Sequence, residues 1–174
     1  MTYEYVPVPS ERILSLDPAP FGFGYAVLEY EPQRLVAWGT KTCRRNDGTV
    51  ADAVNRLILD YQPTAIVLPS WREGDHVLRG PALDAFIEAI EETLTSNGLS
   101  VLMCSPEEVR EHFAPVGATT KYEIAEHLTD AFPELHAILP RPRAILETER
   151  AAMSVFDALA FALTSRDPLP EPRA

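Results

Sequence analysis

Cysteine is scarce in this sequence, and a long apolar run is missing from it. The two cysteines, Cys43 and Cys104, match no metal-binding spacing, so we expect buried free thiols. Free thiols favour a reducing, cytoplasmic setting. No apolar stretch approaches the roughly 20 residues of a membrane-spanning helix. Residues 1–12 (MTYEYVPVPSER) lack the basic and apolar regions of a secretory signal, so we do not expect these residues to be one.

Positive charge is also in short supply. The chain has only two lysines, Lys41 and Lys121, and its 15 basic residues stand against 26 acidic ones, which gives a formal net charge of −11. Such a chain repels phosphate backbones at long range. The charge balance therefore argues against a non-specific nucleic-acid coat protein. It leaves room for a local basic face, so the distribution of the cations matters more than their sum.

The rest of the composition is that of an ordinary globular domain. The chain has 174 residues, of which 46% are hydrophobic and 24% charged, and this length fits one domain with a core of its own. We expect that domain to span residues 12–164. Residues 1–11 predict a short polar arm. Residues 165–174 (SRDPLPEPRA) carry three prolines and predict a frayed tail.

Hydrophobic periodicity predicts five strands and five helices. The strands are expected at residues 12–16, 24–30, 34–42, 64–68 and 100–104. The helices are expected at residues 50–61 and 83–94, after capping boxes at Ser105 and Thr120, and at about 148–164. The short turn at residues 31–33 predicts an antiparallel hairpin, and the wholly apolar fourth strand predicts a buried parallel strand. The element order, β-β-β-α-β-α-β-α-α-α, predicts an α/β fold with a mixed five-stranded sheet and helices on both faces.

Two aspartates stand where such a fold could use them. Asp17 follows a short apolar strand, and a strand gives a carboxylate the rigid support that a hard cation site needs. Taken alone, Asp17-Pro18 is more typical of a turn that follows a strand. Asp157 lies on the flank of the apolar stripe of the last helix, whose alanines allow close approach to the sheet. We expect the two carboxylates to lie within reach of one ion, less than about 10 Å apart.

These segments together resemble the RuvC-type Holliday-junction resolvases of the RNase H-like superfamily. The residues that carry the resemblance are 13–18 (ILSLDP) with 24–29 (GYAVLE), 105–109 (SPEEV), 117–121 (GATTK) and 156–163 (FDALAFAL). Each motif is short, but the four follow one another in the family's order and cover residues 12–164, nearly the whole chain. The resemblance implies the RNase H-like fold, with a three-strand meander followed by alternating strands and helices.

The resemblance also implies metal-dependent cleavage of branched DNA. The family holds two divalent ions, Mg²⁺ or Mn²⁺, with four carboxylates, and Asp17 and Asp157 match two of the four positions. The other two positions are Pro69 and Ser154 in this sequence. Proline offers no ligand, and a serine hydroxyl is neutral and weak, so we expect a weakened or lost metal site. Lys121 matches the basic residue that approaches the scissile phosphate in the family, and a solvated surface lysine is the other interpretation that stays open.

The loop after the fourth strand holds further candidates. Trp71 and Arg72 match the place where the family stacks an aromatic side chain on opened junction bases, and exposed Trp and Arg suit stacking and phosphate contact. Trp71 could equally fold under the loop as part of the core. Glu73 and Asp75 could fold back and replace the missing carboxylates, although loops hold ligands less firmly than strands do. If nucleic acid is bound, Arg72, Arg79, Lys121 and Arg150 should share the face of Asp17, with the acidic residues elsewhere.

Three functions remain open on the sequence alone. The first is a junction or flap endonuclease, and the second is a binding module that has lost cleavage and contacts branched DNA or a protein partner. A sugar-kinase or actin-like ATPase ranks last, because two such domains are needed to enclose ATP. The resemblance also implies a homodimer, for which the helix at residues 83–94 is the candidate interface.

Overall fold

A computed structural model describes residues 11–19, 22–43, 49–70, 81–141 and 151–166, and within the helix that begins at Pro81 it describes side chains from Ile87 onward. The elements are β1 (Arg12–Ala19), β2 (Gly22–Glu29), β3 (Arg34–Thr42), α1 (Thr49–Tyr61), β4 (Ala65–Pro69), α2 (Pro81–Ser96), β5 (Ser100–Cys104), α3 (Pro106–Phe113), α4 (Lys121–Ala131) and α5 (Met153–Ser165). Two 3₁₀ turns, Ala114–Val116 and Pro133–Ile138, flank α4. The predicted order of strands and helices is confirmed.

The five strands form one mixed sheet in the order β3-β2-β1-β4-β5. The β1–β2 and β2–β3 pairs are antiparallel, which confirms the predicted meander. The β1–β4 and β4–β5 pairs are parallel. Every residue of β4 is buried, as the apolar sequence predicted for a strand covered on both faces.

Helices cover both faces of the sheet and form two cores. On one face, α1 and α2 pack over Leu14 and Leu16. On the other, α3, α4 and α5 pack over Ile13 and Val67. Because side chains alternate along a strand, Asp17 shares the face of Ile13 and therefore lies on the side of α5.

Strand β1 is longer than the sequence predicted. The expectation was that Asp17 ends the strand, but β1 continues to Ala19 because Asp17, Pro18 and Ala19 pair with β2. On the β4 side, the pairs described for β1 end at Ser15. Asp17 is thus fixed by its pairing with β2. On the other side it lies two residues beyond Ser15, the last residue of β1 described as paired with β4.

The last helix also differs slightly from its prediction. Among the described residues, α5 begins at Met153, after a turn at residues 151–152, rather than at about residue 148. Residues 148–150 lie outside the described part of the chain.

Cys43 and Cys104 are buried free thiols, and burial raises the pKa of Cys104 to about 12. None of the described helices combines the length and apolar character needed to cross a membrane.

Candidate functional site

A cavity of about 300 Å³ opens beside β1, between α3, α4 and α5. Among the described residues, its charged lining is Asp17, Arg110, Lys121 and Asp157. The apolar side chains of Val109, Ile124 and Phe161 also line it, together with smaller residues. The structure thus brings Asp17, Lys121 and Asp157, which the sequence singled out, onto the walls of one cavity. Their roles as ligands or catalytic groups stay predictions.

Asp17 reaches the cavity from the sheet. Asp17 is only 8% exposed to solvent, and its backbone pairs with that of Gly24 on β2. A carboxylate this deeply buried loses much of its hydration, so it needs hydrogen bonds or a nearby cation to stay ionised. The rigid strand therefore places the Asp17 carboxylate in the cavity wall, where a positively charged group would stabilise its ionised form.

Asp157 reaches the same cavity from α5, which lies close to the sheet at Gly24. Gly24 makes this approach possible, because a Cβ at that position would overlap Ser154. Three alanines on α5 are also at most 1% exposed: Ala158, Ala160 and Ala162. The small residues that the sequence analysis identified in this helix thus hold Asp157 against β1.

Lys121 forms an ion pair with Asp157. Its Nζ lies 2.6 Å from Asp157 Oδ2 and donates a hydrogen bond to that oxygen. The Asp157 side chain is 14% exposed and that of Lys121 57%, so the pair sits at the mouth of the cavity. Lys121 is the first residue of α4, where the helix dipole disfavours a cation. The carboxylate of Asp157 offsets that disadvantage.

A capping box fixes the turn that carries Lys121. The Thr120 hydroxyl accepts a hydrogen bond from the Glu123 amide, and Glu123 Oε2 accepts from the amides of Thr119 and Thr120, each at 2.9 Å. These hydrogen bonds lower the pKa of Glu123 to about 2. The capping box that the sequence predicted at Thr120 is confirmed, and it sets the position of Lys121.

Arg110 is the charged lining residue that the sequence analysis missed. It is exposed on α3, next to the buried Val109. The predicted capping box at the start of α3 is present, with Ser105 and Glu108 hydrogen-bonded to each other's backbones. The sequence offered one signal for Arg110, namely a basic residue directly after an apolar one on a helix. That signal does not locate the residue, because Arg110 reaches this cavity only through the packing of α3 on α5.

The two departures from the resolvase pattern are both buried. Pro69 ends β4 opposite Cys104. Ser154 donates a hydrogen bond from its hydroxyl to the carbonyl of Ala151, at 2.6 Å. In the parallel register Ser15 pairs with Val67, so Pro69 is level with Asp17 on the neighbouring strand. Neither position supplies a carboxylate to the cavity.

The donor set of the described residues does not fit a pair of divalent ions. In the described ranges, no three or more His, Cys, Asp or Glu side chains come together in a way that could hold a metal ion. The cavity offers Asp17 and Asp157, and the second of these carboxylates already accepts a hydrogen bond from Lys121. Hard divalent ions bind through six or more oxygen ligands and need their charge balanced.

Several predicted site residues lie outside the described part of the chain. These are Trp71, Arg72, Glu73 and Asp75 in the loop after β4, and Arg79 and Arg150 of the expected basic face. Their predicted roles in stacking, phosphate contact and ligand replacement stay predictions.

The sheet order and the helices on its two faces define an RNase H-like fold. The structure is similar to RuvC of Thermus thermophilus in complex with a Holliday junction substrate, with a TM-score of 0.62, 17% identity and coverage of 88% of this chain and 91% of that one. It is also similar to the yeast mitochondrial Holliday junction resolvase, with a TM-score of 0.59, 17% identity and coverage of 91% and 79%.

A third similar structure is the Fowlpox virus resolvase in complex with Holliday junction DNA, with a TM-score of 0.54, 14% identity and coverage of 87% of this chain and 96% of that one. No family model matches the sequence, and no curated protein matches it significantly. At these identities the similarity shows the fold, and it confirms the RNase H-like architecture of the RuvC type.

Proposed function

We propose that this chain binds branched DNA as a protein of the junction-resolvase type, and that its divalent-metal-dependent cleavage is weakened or lost. The observation that carries this proposal is the cavity where Asp17, Lys121 and Asp157 meet, in a fold shared with resolvases that were solved with Holliday junctions. The domain that performs this function is proposed to span residues 12–164 and to work in the cytoplasm.

The positive charges at the cavity mouth support contact with a DNA backbone. Lys121 and Arg110 line the cavity from two different helices, and both are exposed. Phosphate contacts depend on such local cations, even in a chain whose net charge is −11. Trp71 and Arg72 are proposed to add base stacking and a further phosphate contact beside the cavity.

Weak cleavage follows from the small number of ligands. Two-metal cleavage uses a pair of ions roughly 4 Å apart to activate the attacking water and stabilise the leaving oxygen. Asp17 and Asp157 are the proposed ligands for Mg²⁺ or Mn²⁺, and Pro69 and Ser154 take the places of two more. Glu73 or Asp75 is the proposed replacement if cleavage proves efficient.

The test is a four-way junction assay with both metals. Wild type and Asp17→Asn are incubated with the junction in Mg²⁺ and in Mn²⁺, and both cleavage and binding are measured. Asp60→Asn is a matched control, because Asp60 is exposed on α1, on the opposite face of the sheet. We expect binding by all three proteins and little or no cleavage in Mg²⁺, with some activity in Mn²⁺, which tolerates looser geometry. Efficient Mg²⁺ cleavage that Asp17→Asn abolishes and Asp60→Asn preserves would contradict the weakened site.

The second candidate function is a protein-binding module without a role on DNA. Two surfaces favour it. The outer face of α2 is acidic at Glu88, Glu91 and Glu92, all exposed. On the edge strand β5, Leu102 and Met103 are 39% and 47% exposed, and exposed apolar surface marks interaction sites. Absence of junction binding in the assay above would favour this candidate.

A homodimer through the helix at residues 83–94 is also part of the proposal. Ile90 and Leu94 of that helix are fully buried in the core of the chain. They are therefore already occupied, so a dimer contact through this helix would use its exposed side, which includes Glu88, Glu91 and Glu92. Light scattering at several protein concentrations distinguishes the dimer from a monomer.

A further inference from the structure

The two edges of the sheet are protected to different degrees. At one edge, β3 carries the basic residues Arg34 and Lys41 near its ends, and its register with β2 shifts between Val27 and Leu28, as at a bulge. At the other edge, β5 has the sequence SVLMC, which contains no charged residue and no proline. Charged side chains, prolines and bulges are the usual means by which an edge strand avoids pairing with another chain. Strand β3 has two of these protections, and β5 lacks all three.

Strand β5 is also open on both faces. Val101, Leu102 and Met103 are 37%, 39% and 47% exposed. Because side chains alternate along a strand, Val101 and Met103 lie on one face of the sheet and Leu102 lies on the other. Neither layer of helices therefore covers this strand completely, and apolar surface is exposed on both sides of it.

The backbone of β5 has hydrogen-bonding groups on its outer side. Among the described strands, β5 pairs with β4 alone. The Ser70 amide donates a hydrogen bond to the Cys104 carbonyl, so the backbone groups of Cys104 point toward β4. Backbone groups alternate in direction along a strand, so those of Leu102 also point toward β4, and those of Val101 and Met103 point outward. A further strand can pair with the outward groups without disturbing the β4–β5 pair.

We propose that β5 binds an extended segment of a partner protein by strand addition, and that this segment has a short apolar centre between basic residues. In strand addition, backbone hydrogen bonds supply affinity and side-chain contacts supply specificity. A strand beside β5 meets apolar side chains on both faces, so the centre of the segment is apolar at consecutive positions. The inference goes beyond the proposed function on DNA and states the chemistry of the partner that fits this surface.

The acidic surroundings of β5 favour basic ends on the segment. Residues 81–109, which run from α2 through β5 into α3, contain six acidic residues and no Lys, Arg or His. Glu91, Glu92 and Glu108 on these two helices are exposed. Opposite charge attracts a basic segment and fixes its register. A second copy of this chain would bring the same acidic residues to β5, because a two-fold interface joins the same surface of both copies. Like charges therefore oppose that occupant.

The test uses the fluorescein-labelled peptide KRVIVRK, whose binding to this chain is measured by fluorescence anisotropy. Two comparison peptides separate the contributions of charge and apolar contact. EEVIVEE keeps the apolar centre and reverses the charge, and KRGSGRK keeps the charge and removes the apolar centre.

Three variants of the chain locate the binding. Val101→Pro removes one outward amide and leaves the pairing with β4 in place. Met103→Lys introduces the kind of residue that protects natural edge strands. Leu59→Lys is its matched control, because it adds the same charge at an exposed apolar residue of α1. Circular dichroism verifies the fold of each variant, and Met103→Lys carries the test if Val101→Pro does not fold.

We expect KRVIVRK to bind at least about tenfold more tightly than either comparison peptide, because each of those lacks one of the two attractions. Val101→Pro and Met103→Lys should each weaken binding about threefold to tenfold, the factor expected for the loss of one hydrogen bond. Leu59→Lys should stay close to wild type. Equal or undetectable binding of the three peptides would overturn the proposal, as would equal affinities in wild type and Met103→Lys. A dimer that Met103→Lys dissociates in light scattering would also overturn it, since a second copy would then occupy the edge.

These outcomes are separate from those of the junction assay. None of the three exposed β5 residues belongs to the described lining of the cavity. A protein that binds the junction but not the peptide contradicts only the inference about β5. A protein that binds the peptide but no junction contradicts only the proposed function on DNA.

Discussion

Ser154 of α5 packs on Gly24 of β2 so closely that even a methyl group at position 24 would overlap it. The atoms that such a methyl group would overlap are the hydroxyl oxygen and the backbone carbonyl group of Ser154. Gly24 also pairs with Asp17, on the strand next to it. One glycine therefore sets the distance between the helix that carries Asp157 and the strand that carries Asp17.

The first prediction is that Gly24→Ala destabilises the protein strongly. The added methyl group must push α5 away from the sheet, and overpacking of this kind costs about 3 kcal/mol. Gly98→Ala is the control, since a Cβ there meets nothing within 4 Å and its cost, about 1 kcal/mol, comes only from the left-handed backbone at φ 65°. Urea unfolding measures both variants. A smaller loss for Gly24→Ala than for Gly98→Ala would show that the contact is not tight.

Local sequence signals were sufficient for many of the elements. The capping boxes at Ser105 and Thr120 depend on residues three positions apart, so the sequence revealed them without knowledge of the fold. Asp17 and Asp157 were singled out by their places at a strand and on a helix flank. Residue patterns within one element were enough for the capping boxes, whereas Asp17 and Asp157 also needed the order of several motifs along the chain.

The sequence did not predict the side-chain contacts that join distant elements at the cavity. Lys121 and Asp157 are 36 residues apart, and nothing in either segment specifies the other as its partner. Arg110 was missed for the same reason, because α3 reaches the cavity only by packing on α5. The extension of β1 past Asp17 depends on its register with β2, which local composition does not determine.

The second prediction is a gain of metal binding in Pro69→Glu. Pro69 is level with Asp17 on the neighbouring strand, and by strand alternation it faces the same side of the sheet as Val67, toward α5. A carboxylate there adds a third oxygen donor, and we expect Mn²⁺ affinity to rise by about tenfold.

The control for that variant is Ser70→Glu. It adds the same charge one residue later, where alternation turns the side chain toward the opposite side. Isothermal titration calorimetry compares the two variants after circular dichroism has verified their folds. Equal Mn²⁺ affinities in Pro69→Glu and Ser70→Glu would mean that Pro69 does not adjoin the carboxylate pair.

The third prediction concerns the acid stability of the turn that carries Lys121. The pKa of Glu123 is about 2 in the folded protein, below its ordinary value of 4.5. A lowered carboxyl pKa contributes stability that is complete above pH 4.5 and is lost progressively as the pH falls toward 2. Glu123→Gln should therefore lower Tm at pH 6, and the difference from wild type should shrink as the pH falls to 3.

The comparison for Glu123→Gln is Glu111→Gln, an exposed carboxylate on α3. Thermal unfolding between pH 6 and pH 3, followed by circular dichroism, gives Tm for all three proteins. Glu111→Gln should stay close to wild type throughout. A Tm difference for Glu123→Gln that stays constant with pH would contradict the role of its ionised carboxylate in the capping box.

The most direct measurement is the affinity of the protein for a four-way DNA junction relative to a linear duplex of the same sequence, with EDTA present. We expect the junction to be bound at least about tenfold more tightly, and Lys121→Gln combined with Arg110→Gln to weaken junction binding and its dependence on salt, because two phosphate contacts are lost. Equal affinity for junction and duplex, or junction binding unchanged in the double variant, would contradict the assignment of this cavity to branched DNA.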